Sequence, residues 1–196
     1  MKVLLIIRTY PKEEHLAYYC LATAVQHNVC DEALFMPQEG TYKGVMNKYE
    51  KRGNAGNMCG LGETKIWHNS AVSILSKYKG LYDYYIVSDS DVSFKKSFRH
   101  LLIADHAGVF HSEGYINNDC KHISGQCQIY SKRAFDRYCE TSIEDLEKAS
   151  AYIIANNYSV ADDTLYSVIM QVGTGFTRLS IQGGEYWDHD KFIWQK

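Results

Sequence analysis

Two short apolar runs constrain the chain most: Val3-Leu4-Leu5-Ile6-Ile7 and Tyr84-Tyr85-Ile86-Val87. Both have strand length and no alternating polar face, which fits strands covered on both sides. An α/β sheet covers strands in this way, with helices on its two faces. The stretch between the runs keeps that rhythm. Pro11 suits a first helical turn, and Glu13 and Glu14 open a helix whose stripe is Leu16, Cys20 and Ala24 with Ala17, Leu21 and Val25. Ala33 to Met36 reads as a second strand, stopped by Pro37. Residues 39 to 63 are polar and glycine-rich and read as a long ordered loop of the functional kind. From Thr64, the residues Trp67, Ala71, Ile74, Leu75 and Tyr78 recur at helical spacing until Gly80. Strand, helix, strand, helix, strand over about 95 residues predicts a mostly parallel central sheet flanked by helices.

The second half is less regular. Gly108-Val109-Phe110 and Gln128-Ile129-Tyr130 read as strands around a turn-rich stretch. Ser142 with Asp145 has the capping-box pattern and predicts a helix to about Ala155. Ser159 with Asp162 predicts another, carrying Leu165, Val168, Ile169 and Val172. Repeats and low-complexity linkers are absent, so one domain over residues 1–196 is expected. Its nucleotide-binding-like half covers about 1–95, and a mixed half covers about 96–196.

Charge and composition then exclude whole classes. A net charge of −2 argues against a nucleic-acid partner, which needs a basic surface. An apolar share of 45% argues against disorder. The first apolar run is closed by Arg8 after five residues, too short for a signal peptide or a membrane span. Six cysteines without C-x-x-C spacing are expected to be reduced thiols in a cytoplasmic protein. Sixteen tyrosines, each with an apolar face and a polar tip, suit a core and equally suit a sugar ligand.

Three constellations carry candidate chemistry. Asp89-Ser90-Asp91 follows directly on a hydrophobic strand, and ligands of open α/β sheets bind outside the carboxyl ends of strands. Two carboxylates there form a hard-oxygen site for Mg²⁺ or Mn²⁺, which can bridge a diphosphate. The D-x-D pattern by itself is weak: a second copy stands at Asp188-His189-Asp190. Asp162-Asp163 at a helix start suits capping, and suits a general base once the strand-end carboxylates are considered with it. His189 lies in an aromatic, acidic segment that could fold back over a site, and imidazole binds Mn²⁺ well. In the glycine-rich loop neither phosphate-cradling glycine signature occurs; Arg52 and Lys65 are its candidate phosphate contacts.

Together these residues resemble the GT-A glycosyltransferases, which use nucleotide-diphosphate sugars. Arg8-Thr9-Tyr10, leaving the first strand, is similar to the turn that holds the nucleotide base in that fold. Asp89-Ser90-Asp91 matches the strand-end D-x-D, which implies Asp91 as metal ligand and Asp89 at the ribose or a metal-bound water. His122-Ile123-Ser124-Gly125 resembles the small-residue turn that faces the donor sugar. Asp162-Asp163 resembles the acidic pair whose second member is the base in inverting members, implying Asp163, with Asp162 in reserve. His189 resembles the C-terminal histidine that completes the metal shell. The resemblance thus implies transfer from a nucleotide-diphosphate sugar, with UDP-sugars favoured, to a carbohydrate or glycoconjugate hydroxyl, with Mn²⁺ or Mg²⁺.

Two competitors fit parts of the pattern. A haloacid-dehalogenase-type phosphatase also sets an aspartate pair after a hydrophobic strand and holds Mg²⁺ with a late acidic pair. Its nucleophile strand comes first in the fold, whereas about 80 residues of strand-helix pattern precede Asp89 here. A non-catalytic sugar- or nucleotide-binding module fits the tyrosines, but has no need of a base.

Overall fold

The computed structural model describes residues 1–9, 14–37 and 60–189. The first apolar run forms β1 (Val3–Thr9), whose alternation divides the core in two. Leu4 and Ile6 enter one buried cluster, while Val3, Leu5 and Ile7 enter the other. Both faces of the strand are covered, which is why its sequence shows no polar face.

On the second of these faces lies α1 (Glu14–Gln26), with Leu16, Ala17, Cys20, Thr23 and Ala24 inward. Val25, expected in the apolar stripe, is 65% exposed. Thr23 is buried in its place because its hydroxyl is satisfied, donating to the Cys20 carbonyl (2.9 Å) and accepting the Phe94 N–H (3.0 Å). On the other face α2 (Leu61–Leu75) buries Ala71 and Leu75, and a short 3₁₀ turn (Ser76–Tyr78) extends it. β2 (Glu32–Pro37) and β3 (Tyr84–Asp89) flank β1 in parallel.

The sheet is mixed, with one strand running against the other five. The six-stranded order is β2-β1-β3-β6-β5-β7, and β6 runs antiparallel to both β3 and β5. The two short strands expected at 108–110 and 128–130 are parts of one long hairpin, β5 (His106–Asn117) and β6 (Cys120–Ser131). Asn117 makes its turn: its side-chain oxygen accepts the N–H groups of Asp119 (2.9 Å) and Cys120 (3.0 Å). A hairpin needs no crossover helix, so the parallel repeat ends where this one enters. β7 (Arg178–Ser180) closes the sheet in parallel with β5. The halves expected at 1–95 and 96–196 therefore share one sheet, joined at β3 and β6.

Three helices from the second half cover the α2 face. Sequence reading left α3 (Lys132–Glu140) unassigned, although Ala134, Phe135, Tyr138 and Cys139 are its buried stripe. α4 (Ile143–Ala155) begins at the expected capping box, with Ser142 and Asp145 bonded reciprocally at 3.1 and 2.9 Å. α5 (Asp162–Gln171) begins differently from expectation: Ala161 caps it, and the Ala161 N–H donates to Thr164 Oγ1 at 2.8 Å.

Tyrosines build much of this core. The Tyr85 ring stacks on Phe135 at 3.6 Å, and Tyr138 on Tyr166 at 4.7 Å. Their hydroxyls are served from inside: Tyr85 donates to the Tyr78 carbonyl at 2.6 Å, and Tyr166 meets His68 Nδ1 at 2.7 Å. Tyr186 is buried against Phe98. The five described cysteines are unpaired, and burial pushes the Cys20 thiol up to about 12. No helix among the described residues is long and apolar enough to cross a membrane.

Candidate functional site

The parallel register places Arg8 of β1 beside Asp89 of β3, both at the carboxyl ends of their strands. The guanidinium holds Asp89 Oδ1 at 2.6 Å, Asp162 Oδ2 at 3.4 Å and the Gly125 carbonyl at 2.6 Å. One side chain thus joins three chain segments that lie far apart in sequence. Thr9 is buried next to it at the strand end, and Ser90 is buried between the two aspartates.

A separate ribbon completes one side of the cleft. β4 (Val92–Phe94) pairs antiparallel with β8 (Trp187–His189), and Val92 stands opposite His189. Trp187 anchors β8 in the core, 2% exposed and 5.4 Å from Phe98. The short α6 (Gly183–Tyr186) leads into it and lies so close to β5 that a Cβ on Gly183 would meet Val109 at 2.6 Å. This packing sets His189 Nε2 3.1 Å from Asp91 Oδ2. Asp89, Asp91 and His189 each offer a ligand atom, and the three atoms lie within 4.8 Å of one another. Two carboxylate oxygens and one imidazole nitrogen suit a borderline or hard divalent cation.

The opposite side comes from β6 and α5. Ser124 to Cys127 bulge out of the β5 pairing, four residues facing one. The bulge carries the backbone of Gly125 against the acidic pair: a Cβ there would stand 3.2 Å from Asp163 Cβ and 3.7 Å from the Arg8 guanidinium. Asp163 Oδ2 accepts the Gly125 N–H at 3.1 Å and meets His122 Nε2 at 2.8 Å. His122 Nδ1 in turn lies 3.1 Å from the Tyr158 hydroxyl.

The two members of the acidic pair differ in charge state. Burial pushes Asp162 up to about 6; the charge of Asp163 adds to this, and Arg8 opposes it. Burial also works against ionised Asp163, but the His122 hydrogen bond and charge, with the N–H groups of Gly125 and Thr164, outweigh it and hold the carboxyl below its ordinary range. Asp89 is raised, again by burial first, against the pull of Arg8. It nevertheless keeps 35% of its side chain accessible.

No protein-family profile matches this chain, and no curated protein sequence matches it either. The site rests on its own chemistry. Of the residues named from sequence, Arg8 joins Asp89, Gly125 and Asp162, Asp163 lies against Gly125, and Asp91 and His189 stand with Asp89, while Thr9, Ser90 and Ser124 neighbour them in the chain. Lys65 does not join them: among the described residues its charge partner is Glu147 of α4, at 2.5 Å. Tyr10, Arg52 and most of the glycine-rich loop lie outside the described residues. In the sequence His122 stands out only as part of a turn, and Tyr158 carries no functional signal. His122 meets Asp163 across 41 positions and Tyr158 meets His122 across 36, and no local pattern signals either contact.

Proposed function

We propose that this protein is a divalent-metal-dependent glycosyltransferase of the GT-A type. It moves a sugar from a nucleotide-diphosphate donor, with UDP-sugars the first to test, to an acceptor hydroxyl. One observation carries the reading: a carboxylate–carboxylate–imidazole set at the end of the central strands faces an ionised aspartate across the same cleft, with Arg8 between them.

Asp89, Asp91 and His189 would hold the cation, and the imidazole favours Mn²⁺ over Mg²⁺. Bound there, such an ion supplies positive charge to a leaving diphosphate. The chain's own side chains do the rest. Among the described residues, four carboxylates stand around the one guanidinium of Arg8, a balance that favours a cation. Arg8 orients Asp89 and Asp162 and holds the Gly125 bulge in place. Asp163, ionised at neutral pH, accepts the proton of the acceptor hydroxyl as that oxygen attacks the anomeric carbon. A positioned base of this kind contributes roughly 10²–10⁴-fold to rate.

The phosphatase alternative loses support on one point. Asp162 and Asp163 open a helix after Ala161 and do not follow a strand.

The test is a thermal-shift screen of UDP-, GDP- and dTDP-sugars with and without Mn²⁺. Stabilisation by at least one nucleotide sugar, larger with Mn²⁺, is expected, followed by turnover of that donor. A chain indifferent to Mn²⁺ and to every donor would sink the proposal.

A further inference from the structure

Asp163 enters the cleft from the first turn of α5, and both contacts on its Oδ2 come from one stretch of β6. His122 Nε2 approaches at 2.8 Å and the Gly125 N–H at 3.1 Å. An ionised carboxylate accepts and cannot donate, so the imidazole nitrogen 2.8 Å from it carries a proton. Nδ1 lies 3.1 Å from the Tyr158 hydroxyl, and the Tyr158 ring stands edge-on to the imidazole, with centroids 5.9 Å apart. The His122 side chain is 11% exposed, so its ring is clamped from both ends and poorly placed to meet substrate itself.

We propose that His122 is a positioning residue for Asp163, its Nε2 set 2.8 Å from Oδ2 so that the carboxylate is turned to present Oδ1 to the acceptor hydroxyl. The inference rests on the glycosyltransferase reading and deepens it. In the step itself the acceptor O–H bond breaks and its proton goes to Asp163 Oδ1. The freed electron pair of the acceptor oxygen forms the bond to the anomeric carbon, and the sugar–phosphate bonding pair leaves with the nucleotide diphosphate. His122 neither gains nor loses a proton. It fixes the direction of the carboxylate and favours its ionised form.

The groups that face Asp163 are His122 and the Tyr130 phenol of β6, Asp162 of α5 and, across Gly125, Arg8 of β1. Asp162, a like charge, opposes ionisation of its neighbour, so removing the His122 donor leaves Asp163 easier to protonate. Since the ionised form is the active one, the acid limb of the rate profile then moves to higher pH.

The experiment compares wild type, His122→Gln and His122→Leu across pH, using the UDP-, GDP- and dTDP-sugar panel with Mn²⁺. An amide N–H in His122→Gln can replace the imidazole N–H, whereas leucine cannot. His122→Leu is expected to lose about 100-fold in kcat with donor KM unchanged, and its acid limb to rise by about one pH unit. His122→Gln should keep most of kcat and the wild-type limb. Alongside, ¹⁵N spectra of the full metal-free chain should show a proton on Nε2 of His122, with a signal that moves in Asp163→Asn; this readout needs neither donor nor turnover. A wild-type profile in His122→Leu overturns the inference alone, as does an equal loss in both variants or an Nε2 that carries no proton. Failure of the wild-type chain to bind or turn over any donor overturns the glycosyltransferase reading, and the inference with it.

Discussion

The cleft holds two aspartate pairs of the same chemistry, yet the fold puts them to different use. Asp89 and Asp91 stay together: both supply a ligand atom to one cluster with His189. Asp162 and Asp163 are adjacent in sequence and diverge in space, because successive helix positions turn by about 100°. Asp162 points to Arg8, and Asp163 points to His122 and Gly125. Their protonation tendencies split accordingly, one raised to about 6 and the other lowered. Neighbours, not residue type, assign the role of a carboxylate, and the backbone that presents it decides which neighbours it meets.

That contrast can be broken most directly by removing one acid from each pair. Asp91→Ala takes away a ligand atom and should weaken Mn²⁺ binding by at least about 100-fold in calorimetry, abolishing transfer with it. Asp163→Asn should leave Mn²⁺ affinity intact and lower transfer by roughly 10²–10⁴-fold. If Asp163→Asn weakens Mn²⁺ binding as much as Asp91→Ala does, the pairs are not functionally distinct.

A smaller effect sharpens the difference within the helix-start pair. A carboxyl raised from 3.8 to about 6 binds its proton more tightly in the folded state. Its favourable contribution is fully present below pH about 4 and is lost as pH rises through 6. Asp162→Asn should therefore raise the melting temperature of the metal-free protein at pH 7.5 by a few degrees, on the order of 1 kcal/mol, and the gain should vanish by pH 4. A gain that persists in acid would show that charge is not its source. The smallest effect concerns Lys65, whose salt bridge to Glu147 is at the surface. Lys65→Ala should change stability by less than about 1 kcal/mol and leave donor binding as it was. A tenfold loss of donor affinity would place Lys65 back in the site.

Much of the first half was legible because its signals are local. The apolar run of β1 and the stripe of α2 report burial directly. The second half was harder to read. The hairpin strands β5 and β6 run across Ser112-Glu113-Gly114 and Ser124-Gly125, whose turn-like composition hides a single hairpin interrupted by register shifts. At α5 the residue that looked like part of a cap, Asp162, is held by Arg8, 154 positions away, and Thr164 serves the helix start instead. The tyrosine excess was open to two readings, and packing chose the core for Tyr85, Tyr130, Tyr138 and Tyr166.

By itself, then, the sequence determined that β1 and β3 would be buried strands in an α/β sheet, and that carboxylates would stand at the end of the second. Hydrophobic periodicity and short-range capping are enough for that, since they act within a few residues. Tertiary structure alone decided that the sheet is mixed and that His189 reaches Asp91. It also decided that Arg8 gathers Asp89, Asp162 and Gly125, and that His122 holds Asp163. Those contacts join residues up to 154 positions apart, and only the completed packing of both sheet faces brings them within hydrogen-bond distance.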